Sequence, residues 1–350
     1  MENSKDISEF HRLVEQSEKI LVTSHISPDP DAVCSTLLMG RTLKSNFPGK
    51  QVRMVLEEKP ARKLDFLDGY QEIEIRPLLE ATSEFEPDLF ILLDAPSFER
   101  GSRNNGARLK KLLGDLNSKV MIIDHHEEYG KERSDVYINN RRPATAQEIY
   151  ELLFEKLKLK KPDGYAQTAL LGIISDTDRH KFDNPVHRAT YRIVSDLLDS
   201  GASIEELEAS MGRYDAGQLE VLNNLISNIT DSGQGYTYSF IDDELAKDWL
   251  RTTKSPDSFK LACEAFTQQF LKNFETNLWG FIVYLDIASG EGVYGVSLRS
   301  ATGVKDVSKI AHQLGGGGHK PAAGAKFGAS NVEAAIEKVK KAVSGADDED

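Results

Sequence analysis

Four short apolar runs punctuate the first half of this 350-residue chain: Ile20–Ser24, Gln51–Leu56, Asp88–Leu93 and Lys119–Ile123. Amphipathic stretches lie between them, around Ala32–Lys44 and Ala107–Leu116. Buried strands alternating with helices leave few architectures open. The pattern predicts an α/β fold with a mostly parallel sheet and helices on both faces. From Thr145 to Leu198 the sequence is helical. Gln147, Ile149, Leu152, Leu153 and Leu157 recur near the helical period, and Ala166–Ile174 suggests another helix. Ile204–Ile229 is also helical in pattern. A hairpin-like pair follows at Asn228–Thr230 and Tyr236–Ile241, then a helix at Phe259–Asn273. Two alternating strands, Trp279–Ile287 and Gly292–Ser300, and a helix at Val332–Val343 complete the pattern. The expected organisation is a first domain over 1–195, a helical connector over 196–229, a smaller α/β domain over 230–344 and an acidic tail over 345–350, with a cleft between the domains.

The ends of the apolar runs carry the chemistry. The first is followed by His25, Asp29 and Asp31, with Pro28 and Pro30 between them. Each proline biases the residue before it towards extended geometry. Two acids two residues apart in an extended segment point to the same side. Read alone, Asp31 also suits a helix N-cap. The run Leu89–Leu93 ends in Asp94, and Met121–Ile123 ends in Asp124, His125 and His126. The apolar helix Leu170–Ile174 leads to Asp176. One such acid is most simply a turn or a cap. In an open α/β sheet, however, sites form beyond the carboxyl ends of the strands. Residues far apart in sequence therefore converge there.

Asp29, Asp31, Asp94 and Asp176 with the imidazoles of His25 and His125 make an oxygen and nitrogen donor set. That set suits Mn²⁺ or a related divalent ion better than a thiolate metal. Four carboxylates and two divalent ions also balance in charge, whereas bare clustered carboxylates repel. Such a pair of ions activates water and stabilises an in-line phosphoryl displacement. Only two cysteines, Cys34 and Cys263, are present, which argues for a reducing, cytoplasmic setting and against a disulfide framework. No apolar run approaches the ~20 residues of a membrane helix, and no signal peptide is visible. Forty-three basic against 56 acidic residues give a net charge of −13. Long nucleic acid is disfavoured by that balance, but a small anion in a local pocket is not.

Near the far end lies Gly315-Gly316-Gly317-Gly318-His319-Lys-Pro-Ala-Ala-Gly324. Glycines let backbone N–H groups approach an anion, and His319 adds a donor. Arg299 ends an alternating strand and suits a phosphate or a base.

Taken in order, His25-x-x-Pro-Asp29-x-Asp31-Ala, Asp94, Asp124-His125-His126 and Gly172-Ile-x-x-Asp176-Thr177 resemble the DHH phosphoesterase superfamily. The glycine run and Ser297-Leu-Arg299-Ser300 resemble its DHH-associated domain of the first subtype. The resemblance covers nearly the whole chain. It implies a hydrolase with two divalent ions, usually Mn²⁺. His25, Asp29 and Asp94 would hold one ion; Asp31, Asp94, His125 and Asp176 the other. Asp124 would support the His125 region, and His126 would face the substrate phosphate. Arg299, Gly316, Gly317, Gly318 and His319 would hold the far end of the substrate.

Without membrane, sensor or RecJ-type extensions, the chain is most similar to the nano-RNase and 3′-phosphoadenosine 5′-phosphate phosphatase group. The implied substrates are short RNA, about two to five nucleotides, and that nucleotide, attacked by a water that two metal ions activate. A cyclic- or linear-dinucleotide phosphodiesterase and a single-strand exonuclease are the enzyme alternatives. A nucleotide-binding module is the non-enzyme one. Family members are often dimers, so a homodimer is among the expected states. Cys34 and Asp178 stand where the family usually has glycine; neither removes a ligand.

Overall fold

The computed structural model describes residues 4–102, 104–126, 134–177, 179, 187–251, 256–287, 289–290, 292–301 and 303–347. The chain divides into two compact units, Met1–Arg213 and Tyr214–Asp350.

In the first unit six strands form one wholly parallel sheet: β1 (Lys19–Thr23), β2 (Gln51–Leu56), β3 (Ile73–Ile75), β4 (Leu89–Leu93), β5 (Lys119–Ile123) and β6 (Val136–Ile138). Their helices are α1 (Ser4–Gln16), α2 (Pro30–Asn46), α3 (Leu78–Phe85), α4 (Phe98–Gly101), α5 (Gly106–Asp115), α6 (Thr145–Tyr150), α7 (Tyr165–Asp176), α8 (His187–Asp199) and α9 (Ile204–Met211). A π-helical stretch, Glu151–Lys156, continues α6. Alternation within the strands sends side chains into two separate cores. Ile20, Val22, Ile91 and Met121 meet one face with α2, α6 and α7; Leu21, Phe90, Leu92 and Ile122 meet the other with α3 and α5. Burial on both faces is why the central positions of β1, β4 and β5 are apolar in unbroken runs. The strand order is β3-β2-β1-β4-β5-β6, so it reverses between β1 and β4. At such a reversal the loops leave in opposite directions and open a crevice at the carboxyl edge.

The four expected strands form within a residue of their predicted bounds. The short edge strands β3 and β6 and the leading helix α1 lie outside the sequence reading. One expectation is corrected. Asp29 and Asp31 do not share an extended segment. Pro30 occupies the first turn of α2, where its missing N–H costs nothing. Asp29 is the N-cap, accepting from the Ala32 N–H at 3.0 Å, and Asp31 already sits inside the helix.

The second unit holds a mixed six-stranded sheet, ordered β11-β12-β10-β9-β8-β7. Its strands are β7 (Thr230–Asp231), β8 (Thr237–Phe240), β9 (Trp279–Leu285), β10 (Val293–Ser300), β11 (Gly317–His319) and β12 (Ala322–Gly328). Its helices are α10 (Ala216–Ser227), α11 (Asp243–Arg251), α12 (Pro256–Gln269), α13 (Val307–Gln313) and α14 (Val332–Asp347). All pairs are antiparallel except β8 with β9. The core draws on Phe266, Phe281, Leu298, Ile310 and Val339. Helix α14 runs through Asp347 and buries Ala346, so the first residues of the expected tail are helical. Asp348–Asp350 and Asp178 lie outside the described residues. Among the described residues no helix is long and apolar enough to cross a membrane.

Candidate active site

Strand ends and helix ends bring one cluster together at the carboxyl edge of the first sheet. His25, Asp29 and Asp31 follow β1, Asp94 follows β4, and Asp124, His125 and His126 follow β5. Asp176 closes α7. Asp94 stands at the centre. Its Oδ2 lies 3.4 Å from His25 Nε2; its Oδ1 lies 3.5 Å from His125 Nε2 and 3.7 Å from His126 Nδ1. His25 Nε2 is also 3.7 Å from Asp29 Oδ2, and His125 Nε2 is 3.0 Å from Asp176 Oδ2. Asp94 takes a left-handed backbone, φ 57°. Few side chains other than Asn and Asp adopt that conformation, and it re-aims the carboxylate where the strand ends.

Second contacts fix the tautomers. His25 Nδ1 faces the Ile26 carbonyl at 2.8 Å, so a proton sits there, and in the neutral ring Nε2 is the nitrogen that can bind a cation. His126 Nδ1 pairs with Asp124 Oδ1 at 2.8 Å. The Thr145 hydroxyl donates to Asp94 Oδ1 at 2.9 Å. The first N–H groups of α6 reach Asp31: Thr145 N to Oδ2 at 2.7 Å and Ala146 N to Oδ1 at 2.9 Å. Asp31 is thereby held without a counter-ion. The sequence pattern places a helix from Thr145 onward but does not reveal that its start clamps two of the aspartates. The pair is 114 residues apart, and no local signal joins them.

The protonation balance is that of a site awaiting cations. Burial works against charge on His25 and His125, but their carboxylate neighbours outweigh it. Asp29 and Asp94 push His25 up to about 11. Asp176, Asp94 and Asp31 hold His125 above its usual range. Burial, with Asp94 and Asp176 nearby, drives Asp31 up; burial also raises Asp176 despite His125. Asp94 is buried too, yet three imidazoles keep it below the usual carboxylate range.

Among the described residues of the cluster, two buried atoms make no hydrogen bond: Asp124 Oδ2, and His125 Nε2 despite the carboxylates beside it. Unpaired buried polar atoms are costly unless something else pairs them. Three overlapping groups bring ligand atoms within 4.8 Å of one another: His25, Asp29 and Asp94; Asp31, His125 and Asp176; Asp94, His125 and His126. These oxygen and nitrogen donors fit a hard or borderline divalent ion. His126 therefore stands within ligand range as well as beside Asp124.

The remaining predicted residues sit in the second unit. The glycine run is an edge strand. Gly317, Gly318 and His319 pair with Gly324, Ala323 and Ala322 in β12. Gly318 takes φ 143°, and a side chain there would meet the Ala322 carbonyl. Arg299 is also opposite Ala322. Directly opposed residues share a face, so Arg299 and His319 flank a small residue on one side of the sheet. Arg299 Nη1 donates to the Leu298 carbonyl at 2.9 Å, and it meets no carboxylate among the described residues. Burial pulls its pKa down from the ordinary arginine value.

Residues 19–173 match the family model described as "DHH family, N-terminal domain", and residues 252–345 match the DHHA1 domain. The chain therefore carries the DHH and DHHA1 domains of the DHH phosphoesterases, and it is a hydrolase of that class. Two curated relatives, both named "Bifunctional oligoribonuclease and PAP phosphatase NrnA", align over most of its length. The one from Mycoplasma pneumoniae is 27% identical over 91% of this chain and 90% of its own. That from Thermus thermophilus is 26% identical over 93% and 89%. In structure, the chain is similar to an exopolyphosphatase-related protein from Bacteroides fragilis. Its TM-score is 0.82 at 20% identity, covering 99% of this chain and 97% of that one, which shows the shared fold.

Proposed function

We propose that this chain hydrolyses short oligoribonucleotides and 3′-phosphoadenosine 5′-phosphate, with two divalent ions, Mn²⁺ by preference. The observation that carries the reading is Asp94, whose two oxygens face different imidazoles at the heart of five carboxylates. His25, Asp29 and Asp94 would hold one ion; Asp31, Asp94, His125 and Asp176 the other. Bound there, divalent ions supply Lewis acidity towards a phosphoryl oxygen and lower the pKa of water.

The chain's own groups do the rest. Asp124 fixes the His126 ring through Nδ1, leaving Nε2 to meet the substrate phosphate or a proton in transit. Asp29 orders the first turn of α2 and, with it, Asp31. In the second unit Arg299, His319 and the backbone of Gly316–Gly318 are assigned to the far end of the nucleotide. A time course with Mn²⁺ on a 5′-phosphorylated RNA dinucleotide, a pentanucleotide, a 24-mer and 3′-phosphoadenosine 5′-phosphate tests the reading. Rapid loss of the short substrates with an intact 24-mer supports it. Processive shortening of the 24-mer points instead to an exonuclease, and turnover of none to a binding module.

Arg299→Ala should raise KM about tenfold, the worth of one charge-assisted hydrogen bond, with bound metal unchanged. Metal analysis alongside kinetics checks this; a parallel loss of metal would make the residue structural.

The raised His25 pKa gives a pH dependence. In the metal-free protein protonated His25 stabilises the fold fully below its ordinary 6.5, and that contribution is lost as pH rises through about 11. A cation competes for the same nitrogen, so binding must release the proton. Mn²⁺ affinity should therefore rise steadily from pH 6 to pH 8.5. Titration calorimetry in buffers of different ionisation enthalpy would show proton release; a flat affinity with none contradicts the assignment.

A further inference from the structure

The loop between β6 and α6 carries two arginines in contrasting settings. Arg142 is tied to Glu151 Oε2 through Nε at 2.9 Å and Nη2 at 2.6 Å. The Arg141 guanidinium is exposed and has no partner among the described residues. Its backbone, by contrast, is locked. It takes a left-handed φ of 55°, and its N–H donates to Asn139 Oδ1 at 2.9 Å. The buried Glu148 carboxylate gathers the flanking N–H groups, Asn140 at 2.6 Å and Arg142 at 3.2 Å, and the Asn140 side chain at 2.8 Å.

Both ends of the loop touch the carboxylate cluster. Asn139 Nδ2 donates to the His126 carbonyl at 2.8 Å, and Thr145 binds Asp31 and Asp94. Two residues of chain reach at most ~7 Å, so the Arg141 backbone lies within that distance of Asn139, which anchors the loop to His126. Coulomb attraction draws a free guanidinium towards carboxylates. Here a left-handed turn fixes the backbone that carries an unpaired guanidinium, a few residues of chain from them. Exposure separates it from the centre, where the phosphate under attack must sit against buried ligands.

We propose that Arg141 binds a second phosphate of the substrate, adjacent to the one being hydrolysed, so that it sets preference for substrates with more than one phosphate. The inference rests on the phosphoesterase reading above. A guanidinium fork suits two oxygens of one phosphate, which an ammonium meets only as a point charge. No covalent step involves it.

The test compares the wild type, Arg141→Ala and Arg141→Lys on ApA, pApA and pApApA with Mn²⁺. In the wild type kcat/KM rises with added phosphate. In Arg141→Ala that rise should shrink roughly tenfold or more, chiefly through KM, and Arg141→Lys should restore part of it. Melting temperature and Mn²⁺ content should match the wild type in both variants. An equal loss on ApA and on the longer substrates overturns the inference, as does an unchanged phosphate preference or a loss of bound metal. A wild type that cleaves none of the three overturns the nuclease reading itself, and this inference with it.

Discussion

Asp94→Asn should lower kcat at least about a thousandfold and strip the protein of most of its bound metal. Residues that merely support a ligand cost about 10–100-fold when lost, and this carboxylate serves both candidate ion sites at once. The substitution is well suited to the question because it spares the fold. Asparagine tolerates the left-handed backbone at φ 57° as aspartate does. Its amide oxygen can still accept from the Thr145 hydroxyl, and its volume is nearly unchanged. What disappears is the negative charge that faces His25, His125 and His126. Circular dichroism should keep its wild-type shape, with the melting temperature lowered by the lost pairing and metal, while metal content and turnover fall together. A variant that kept two ions and a near-wild-type rate would sink the assignment.

Legibility in the sequence followed physical range. The strands after which the site residues stand were readable because burial on both faces demands unbroken apolar runs at their centres. The switch in strand order then explains why strand ends 69 residues apart meet, as Ser24 does with the Leu93 carbonyl. Contacts made by backbone groups were not readable. The N–H groups of Thr145 and Ala146 hold Asp31, and an N–H has no sequence identity. The roles of Asp29 and Asp31 turned on where α2 begins; Pro30 could precede a helix or open it, and only the fold decides. Glycine's lack of a side chain hid the pairing of β11, because that strand carries no apolar alternation to reveal it. Arg141 and Arg142 are adjacent and alike in sequence, yet only Arg142 finds an acid.

Packing around Asp31 supplies the second large effect. Gly172 lies in α7 where it crosses α2 and α6. A methyl group there would collide with the Ala146 side chain and stand 3.0 Å from Asp31 Oδ1 and 3.2 Å from Cys34 Cβ. Cys34, where the family resemblance leads one to expect glycine, already fills the remaining room on α2. Gly172→Ala should therefore push α6 and α7 apart. Overpacking of this kind costs about 1–3 kcal/mol, or roughly 4–10 °C in the melting temperature of the first unit. Activity should fall further than stability alone explains. Ala146 carries an N–H that clamps Asp31, and Asp176 lies one turn beyond Gly172. The compensating change is specific. Adding Ala146→Gly moves the methyl group from one helix to the other and removes the worst collision. The double variant should recover most of the loss, less the ~1 kcal/mol that glycine costs within a helix. If the two substitutions simply add, the collision is not the cause, and the close approach of α6 to α7 is not what holds Asp31 in place.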